Sequence, residues 1–221
     1  MKEDTIRKAA EKESIQQEKA EIDKIIALYN NAKTGNPHIS NQENREIPFL
    51  IVGRQEDLNW CLSTVAQATS NPDVYRNRCN FNTSNDRQSG EYLNIEKWTI
   101  FKNKIWLIGA IEAGIDFYLT KKGGFKSLED IFSITINREN QRYPVTVTCI
   151  ELISLLSFGY EPTLLPDCSI CLRRTLSRGD IDSFDTYEKC LDSQMNGVDG
   201  KVSEEKCLQF LKNRLQVLFK N

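Results

Sequence analysis

The sequence predicts an α/β protein with a small parallel or mixed sheet, flanking helices, an N-terminal helix and a mainly helical C-terminal tail. A mostly apolar run at 103–113 ends at a glycine and leads into a second apolar run at 115–120, as a buried helix returning to a strand does. A short apolar stretch at 49–52 predicts another strand. A β-branched stretch at 145–148 and an apolar run at 149–158 predict a second strand–helix cycle.

The N-terminal residues 2 to about 33 predict a helix, because they are rich in Glu, Lys, Gln and Ala and contain neither Gly nor Pro. Their apolar residues form a narrow stripe at helical spacing, mostly in the C-terminal half. This stripe fits a solvated helix that docks by that half, and it also fits a helix that binds a partner. The members of the stripe are Ile15, Ile22, Ile25, Ile26 and Tyr29.

Changes in composition divide the chain into three parts. Residues 1–35 are the N-terminal helix, 36–160 are the α/β core domain, and 161–221 are a helical, cysteine-bearing tail or subdomain. Pro162 and Pro166 mark the start of the tail, and its last helix is predicted from residue 203 to about residue 219.

Charge and hydropathy exclude several classes of protein. The 221 residues carry 29 basic and 31 acidic side chains, so a net charge of -2 does not favour binding to nucleic acid or to an anionic membrane. The longest central apolar run, 105–111, is far shorter than the roughly 20 residues that span a bilayer. Without an apolar signal segment, we expect a soluble cytoplasmic protein, or one exported without a cleaved signal.

The Gly53-Arg54 pair follows the first predicted strand and precedes a predicted helix. Ligands bind beyond the carboxyl ends of strands in open α/β sheets, and helix N-termini favour anions. We therefore predict that Gly53 lies against a substrate and that Arg54 binds its phosphate. Asp57 is a candidate acid or base, or a ribose ligand. The alternative is a turn that only joins strand to helix, with Asp57 capping the helix.

A polar and aromatic cluster opens the strongest predicted helix. It is a candidate pocket wall in which indole rings stack on a base and polar groups hold the rest of the substrate. In the alternative, the tryptophans are core residues and the asparagine caps the helix. Glu112, inside an apolar run, is a second acid/base candidate, or lies at the helix edge in water. The cluster consists of Trp98, Lys102, Asn103 and Trp106.

Seven cysteines, an odd number, do not predict a disulfide framework without a secretory signal. The Cys168-Ser169-Ile170-Cys171 turn resembles a zinc knuckle, and Cys190 and Cys207 would complete four thiolates. A redox pair at this turn and ordinary core cysteines are the alternatives. We predict no other cofactor. The stretch 196–205 resembles part of a calcium loop with Gly200 at the sixth position. The first, third and twelfth positions are then Met195, Gly197 and Lys206, which are not calcium ligands, so the stretch predicts a turn.

One ordered set of motifs resembles the C-terminal toxin domains of Rhs-type polymorphic toxins. "VGRQED" is followed by "W-x-x-x-KN-x-x-WL-x-x-AI-x-AG-x-x-FYL" and then by "VTVTCIELISLLSFGY". The resemblance covers roughly residues 47–160 and implies a secreted bacterial effector or toxin, but no particular activity. Because the sequence opens with Met, we expect no repeat shell before it, which departs from the pattern, as do the predicted N-terminal helix and the cysteine-bearing tail.

Two functions follow from these features. The first is an effector or toxin that acts on a nucleotide-like substrate or a nucleic acid. The second is a non-catalytic protein-binding adaptor, immunity or host-targeted effector protein, whose N-terminal helix or C-terminal tail contacts a partner. The scarcity of histidine and the near-neutral charge are compatible with the second function.

Overall fold

A computed structural model describes residues 3–13, 23, 26–27, 29–30, 32–33, 49–53, 57, 100–137, 144–166, 169–174 and 181–220. Its helices in these ranges are α1 (Glu3–Glu13), α2 (Ile100–Ala113), α3 (Leu128–Thr135), α4 (Val147–Ser157), α5 (Phe184–Met195) and α6 (Glu204–Leu215), with a 3-10 turn at Gln216–Phe219. The strands are β1 (Phe49–Val52), β2 (Asp116–Leu119), β3 (Tyr160–Leu164) and β4 (Ile170–Arg174). No helix within these ranges is long and apolar enough to cross a membrane.

The four strands form one sheet in the order β1-β2-β4-β3. β1 and β2 are parallel, whereas β2 pairs with β4 and β4 pairs with β3 in antiparallel orientation. The prediction of a small sheet with flanking helices is confirmed; of the two sheet types predicted, the sheet is mixed and the parallel one is wrong. The physical reason is the short connection from β3 to β4, which closes with a hydrogen bond from Leu165 N–H to the Ser169 carbonyl (2.9 Å). A parallel pairing needs a crossover of about a dozen residues or more.

The predicted strand at 145–148 is wrong. Val145 makes a single antiparallel bridge with Ile136, and α4 begins at Val147. Thr146 is the N-cap residue, and its hydroxyl oxygen accepts from the backbone N–H of Cys149 at 3.3 Å. Helix capping by a threonine thus prevails over the strand preference of the β-branched run. The predicted helix is confirmed, and Gly159, with φ 86°, follows its end.

The mainly helical description of the tail missed the β3–β4 hairpin. Pro162 indicated a chain break, yet it lies within β3. Proline is tolerated there because β3 is the last strand of the described sheet. At such an edge a residue without a backbone N–H can be accommodated without breaking the pairing between two strands. From residue 184 onward the described part of the tail is mainly helical as predicted, in α5 and α6.

Helix α2 is the centre of the core. Nine of its residues, including Lys102 and Asn103, are buried. The Trp106 ring packs edge-to-face against Phe117 of β2, with centroids 5.6 Å apart. The helix ends where the sequence predicts, since Gly114 has φ 68° and a strand follows. The prediction that Asn103 caps this helix is wrong, because α2 begins at Ile100.

The N-terminal helical residues dock on α2. Tyr29 and Ala32 are buried, and the Tyr29 hydroxyl donates to the Glu112 carboxylate. The Lys33 ammonium lies 3.5 Å from the same carboxylate. A Cβ atom at Gly109 would overlap the Tyr29 carbonyl oxygen, so the two backbones approach closely only because residue 109 is a glycine.

We expect Gly109→Ala to destabilise the protein. Alanine inside a helix normally stabilises by about 1 kcal/mol relative to glycine, but here the new methyl group meets a backbone atom that cannot rotate away. The expected loss is about 1 to 3 kcal/mol in the free energy of unfolding, measured by urea denaturation. Ala113→Gly, at an exposed position of the same helix, is the control for propensity alone. A gain in stability from Gly109→Ala would contradict this docking.

Candidate functional site

Gly53 and Asp57 lie at the carboxyl edge of the parallel pair β1–β2. Gly53 directly follows β1 and is buried. Asp57 is 5% exposed, and its Oδ1 accepts a hydrogen bond from the backbone N–H of Lys122, just after β2, at 2.8 Å. Thr120 N–H continues the strand pairing by donating to the Val52 carbonyl at 3.1 Å. This is the edge at which α/β sheets bind ligands.

The polar groups of this edge already have contacts within the chain. The Asp57 carboxylate joins the segment after β1 to the segment after β2. The Lys121 ammonium pairs with Asp130 of α3 at 3.1 Å. Arg54, the predicted phosphate ligand, lies outside the described residues. Gly53 thus follows a strand at the carboxyl edge of the sheet, as predicted, while the role of Arg54 in binding phosphate stays a prediction.

The predicted site residues on α2 face different elements. Trp106 packs against β2, Glu112 contacts Tyr29 and Lys33, and the Asn103 amide lies near the Glu151 carboxyl group of α4. Lys102 is 8% exposed, and Trp98 lies outside the described residues. Each of these contacts joins α2 to a neighbouring element, and their roles in substrate binding stay predictions.

Glu151 is a buried carboxyl group that is not among the predicted site residues. It is 1% exposed on α4, and burial raises its pKa from 4.5 to about 8, although the nearby Asn103 amide opposes this shift. The group is therefore largely protonated at neutral pH. The available signal was the one used for Glu112, a glutamate inside an apolar run, here "CIELIS".

Tyr187 of α5 extends the polar contacts of α4. Its hydroxyl and that of Ser154 are 2.7 Å apart. The pKa of Tyr187 is raised above its ordinary value mainly by burial, with smaller contributions from the charges of Glu151 and Glu188. Asn103, Glu151, Ser154 and Tyr187 are all fully or nearly fully buried, so this polar group lies between α2, α4 and α5 and holds them in register.

Three of the four predicted zinc ligands are among the described residues, and they lie in different surroundings. Cys171 is in β4 beside Tyr118, Cys190 is half-buried on α5, and Cys207 contacts Cys149 of α4. Cys168 lies outside the described residues. In the described part of the chain, no three or more His, Cys, Asp or Glu residues are grouped as a metal site.

The calcium-like stretch between α5 and α6 is a turn, as predicted. Asn196 and Val202 form an antiparallel bridge, and Gly200 has φ 74°. The Lys206 ammonium donates to the carbonyl oxygens of Asn196 (2.8 Å) and Ser193 (3.2 Å). A side-chain cation therefore binds the carbonyls of this turn, at the position where a calcium loop has a glutamate.

An open groove of about 400 Å³ lies between α3 and α6, and we call it the α3–α6 groove. Its apolar surface comes from Phe132 and Leu208, which are both half-buried. Within the part of the chain that the structure describes, neither Glu204 nor Glu205 is in an ion pair. The lining consists of Phe132, Glu204, Glu205, Leu208, Gln209 and Lys212.

Comparison of the chain with protein-family models, curated protein sequences and solved structures gives no match. The likeness to Rhs-type toxin domains therefore stays an expectation from the motifs.

We expect the stability of the protein to fall as pH rises from about 5 to 8, because of Glu151. Its folded-state pKa is raised, so the folded chain keeps a proton that the unfolded chain releases in this window. Glu151→Gln keeps the shape and removes the titration. The difference in unfolding free energy between variant and wild type should change across the window by an amount on the order of a few kcal/mol.

The measurement is urea denaturation at pH 5, 6, 7 and 8. Glu161→Gln, at an exposed position of β3, is the matched control and should leave the slope of stability against pH as in wild type. Equal slopes for wild type and Glu151→Gln would show that Glu151 stays charged in the folded protein.

Proposed function

We propose that the chain is a non-catalytic protein-binding adaptor, immunity or host-targeted effector protein, which binds its partner in the α3–α6 groove. The observation that carries this proposal is the pairing of a half-buried apolar floor, Phe132 and Leu208, with two carboxylates that have no ion pair in the described part of the chain. Such a combination fits the apolar anchor and basic flank of a bound helix.

Helix α6 carries two separate apolar features. Cys207, Leu211 and Leu215 are fully buried and attach the helix to the core. Leu208 lies beside this stripe and lines the groove instead. A helix that served only the core would need no further leucine there, so Leu208 is the residue best placed to contact a partner.

The charges along the groove define what the partner must carry. Glu204 and Glu205 lie at the start of α6, and Lys212 lies about two turns further on. At 1.5 Å per residue this separation is about 10 to 12 Å along the axis. A partner helix would therefore present a basic residue to the carboxylates, an apolar anchor to Leu208, and an acidic residue to Lys212.

The other predicted contact surface is less suited to a partner. Residues Tyr29 and Ala32 of the N-terminal helical segment are buried, and Ile6 of α1 is fully buried as well. These apolar side chains are used within the chain itself. Of the two predicted contact surfaces, the N-terminal helix and the C-terminal tail, the tail is therefore the better candidate for binding a partner.

The second candidate function is an effector or toxin acting on a nucleotide-like substrate or nucleic acid. The observation in its favour is the position of Asp57 between the carboxyl ends of β1 and β2. Its test is bacterial growth on induction of the chain, beside Arg54→Ala and Asp57→Ala at matched soluble expression. Arrest by wild type that both variants relieve would favour this enzyme over the binding protein.

We expect a display library of helical peptides, selected on the folded protein, to yield peptides with an apolar anchor next to Lys or Arg. Leu208→Glu should weaken their binding by about tenfold or more, because a charge then faces the anchor. Glu205→Lys, a charge reversal at an exposed position, should weaken binding by charge repulsion without disturbing the core.

Lys189→Glu is the control, since Lys189 is exposed on α5 and is not part of the groove lining. It should leave binding as in wild type. Peptides that bind the Leu208→Glu and Glu205→Lys variants as tightly as wild type would overturn the proposal.

A further inference from the structure

Cys149 and Cys207 meet inside the core, on helices α4 and α6. Both residues are fully buried, the two helices pack against each other, and each thiol shifts the pKa of the other. The two sulfur atoms are therefore neighbours before any covalent bond forms. Neither cysteine is in a disulfide, and the core packing of α4 against α6 holds them together.

We propose that Cys149 and Cys207 are a redox modification site, at which a hydroperoxide such as hydrogen peroxide links α4 to α6 by a reversible disulfide. This inference is independent of the proposed binding function. It differs from the cysteine turn at 168–171 that the sequence suggested, because it joins residues that are far apart in the chain and adjacent in the fold.

The two thiols have different tendencies to ionise. The neighbouring Cys149 thiol lowers the pKa of Cys207, and the Lys206 ammonium acts in the same direction. The Cys207 thiol and burial raise the pKa of Cys149 well above its ordinary value. Cys207 is thus the attacking thiolate, and Cys149 is the thiol that resolves the intermediate.

The reaction balances with peroxide as the oxidant. The Cys207 thiolate attacks one peroxide oxygen, the O–O bond breaks, and the leaving hydroxide takes a proton to become water. The Cys149 sulfur then attacks the sulfenic sulfur of Cys207, the S–O bond breaks, and a second water leaves with the Cys149 proton. Two thiols and one hydrogen peroxide give one disulfide and two waters, and a dithiol reductant restores the thiols.

Burial controls the rate of this reaction. Both sulfurs are enclosed, so the oxidant reaches them only when α6 opens locally from the core. Once formed, the bond closes a long loop that contains β3, β4 and α5, and it holds α6 against α4. The disulfide therefore forms only when oxidising conditions last longer than the time that α6 takes to open.

The test uses the full-length, reduced chain with hydrogen peroxide as the oxidant. After treatment, free thiols are alkylated, the protein is digested without reductant, and disulfide-linked peptides are identified by mass spectrometry. We expect a Cys149–Cys207 link in wild type and in Cys190→Ala, and none in Cys149→Ala or Cys207→Ala. We also expect oxidation to raise Tm by roughly 5 to 10 °C in the first two proteins only.

A low, sub-denaturing urea concentration should increase the rate of linkage, because it favours local opening. The wild-type peptide map decides the question even if an alanine variant fails to fold. Recovery of Cys149 and Cys207 as free thiols while other cysteines are oxidised, with and without urea, would overturn the proposal. So would a predominant link between any other pair.

Discussion

The structure depends on the burial of helix α2. Its run from Ile105 to Ile111 is buried on every side, so it must be covered by several elements at once. β2 covers one side through Phe117, α4 covers another, and the N-terminal segment covers a third at Gly109. The sheet, the described residues near Tyr29 and helix α4 are therefore organised around one helix of 14 residues.

Part of the fold could be predicted from local sequence. Apolar runs bounded by Gly114 and Gly159 identified α2, β2 and the end of α4, because these signals lie within a few residues of each other. The β3–β4 hairpin could not be predicted in this way. Pro162 indicates a break in isolation, and only its place on the last strand of the described sheet makes it acceptable. Capping by Thr146 likewise depends on where α4 begins.

The candidate site was less predictable, because polar residues on a buried helix can serve the core or a ligand. Asn103 and Glu112 were selected as functional, and their contacts with Glu151 and Tyr29 join α2 to its neighbours. Burial is a property of the tertiary structure, so local sequence does not separate the two uses. The groove was not predicted because its walls are separated in sequence. Only the fold brings Phe132 beside Leu208.

The central claim is that the chain acts through α6 and α3, while the polar residues of α2 maintain the core. Hydrogen–deuterium exchange with and without a selected helical peptide tests it most directly. We predict protection of amides in 128–135 and 204–215 on binding, with 53–57 and 120–124 unchanged. Protection confined to the carboxyl edge of β1 and β2, with none at the groove, would contradict the account and place the binding site at Asp57.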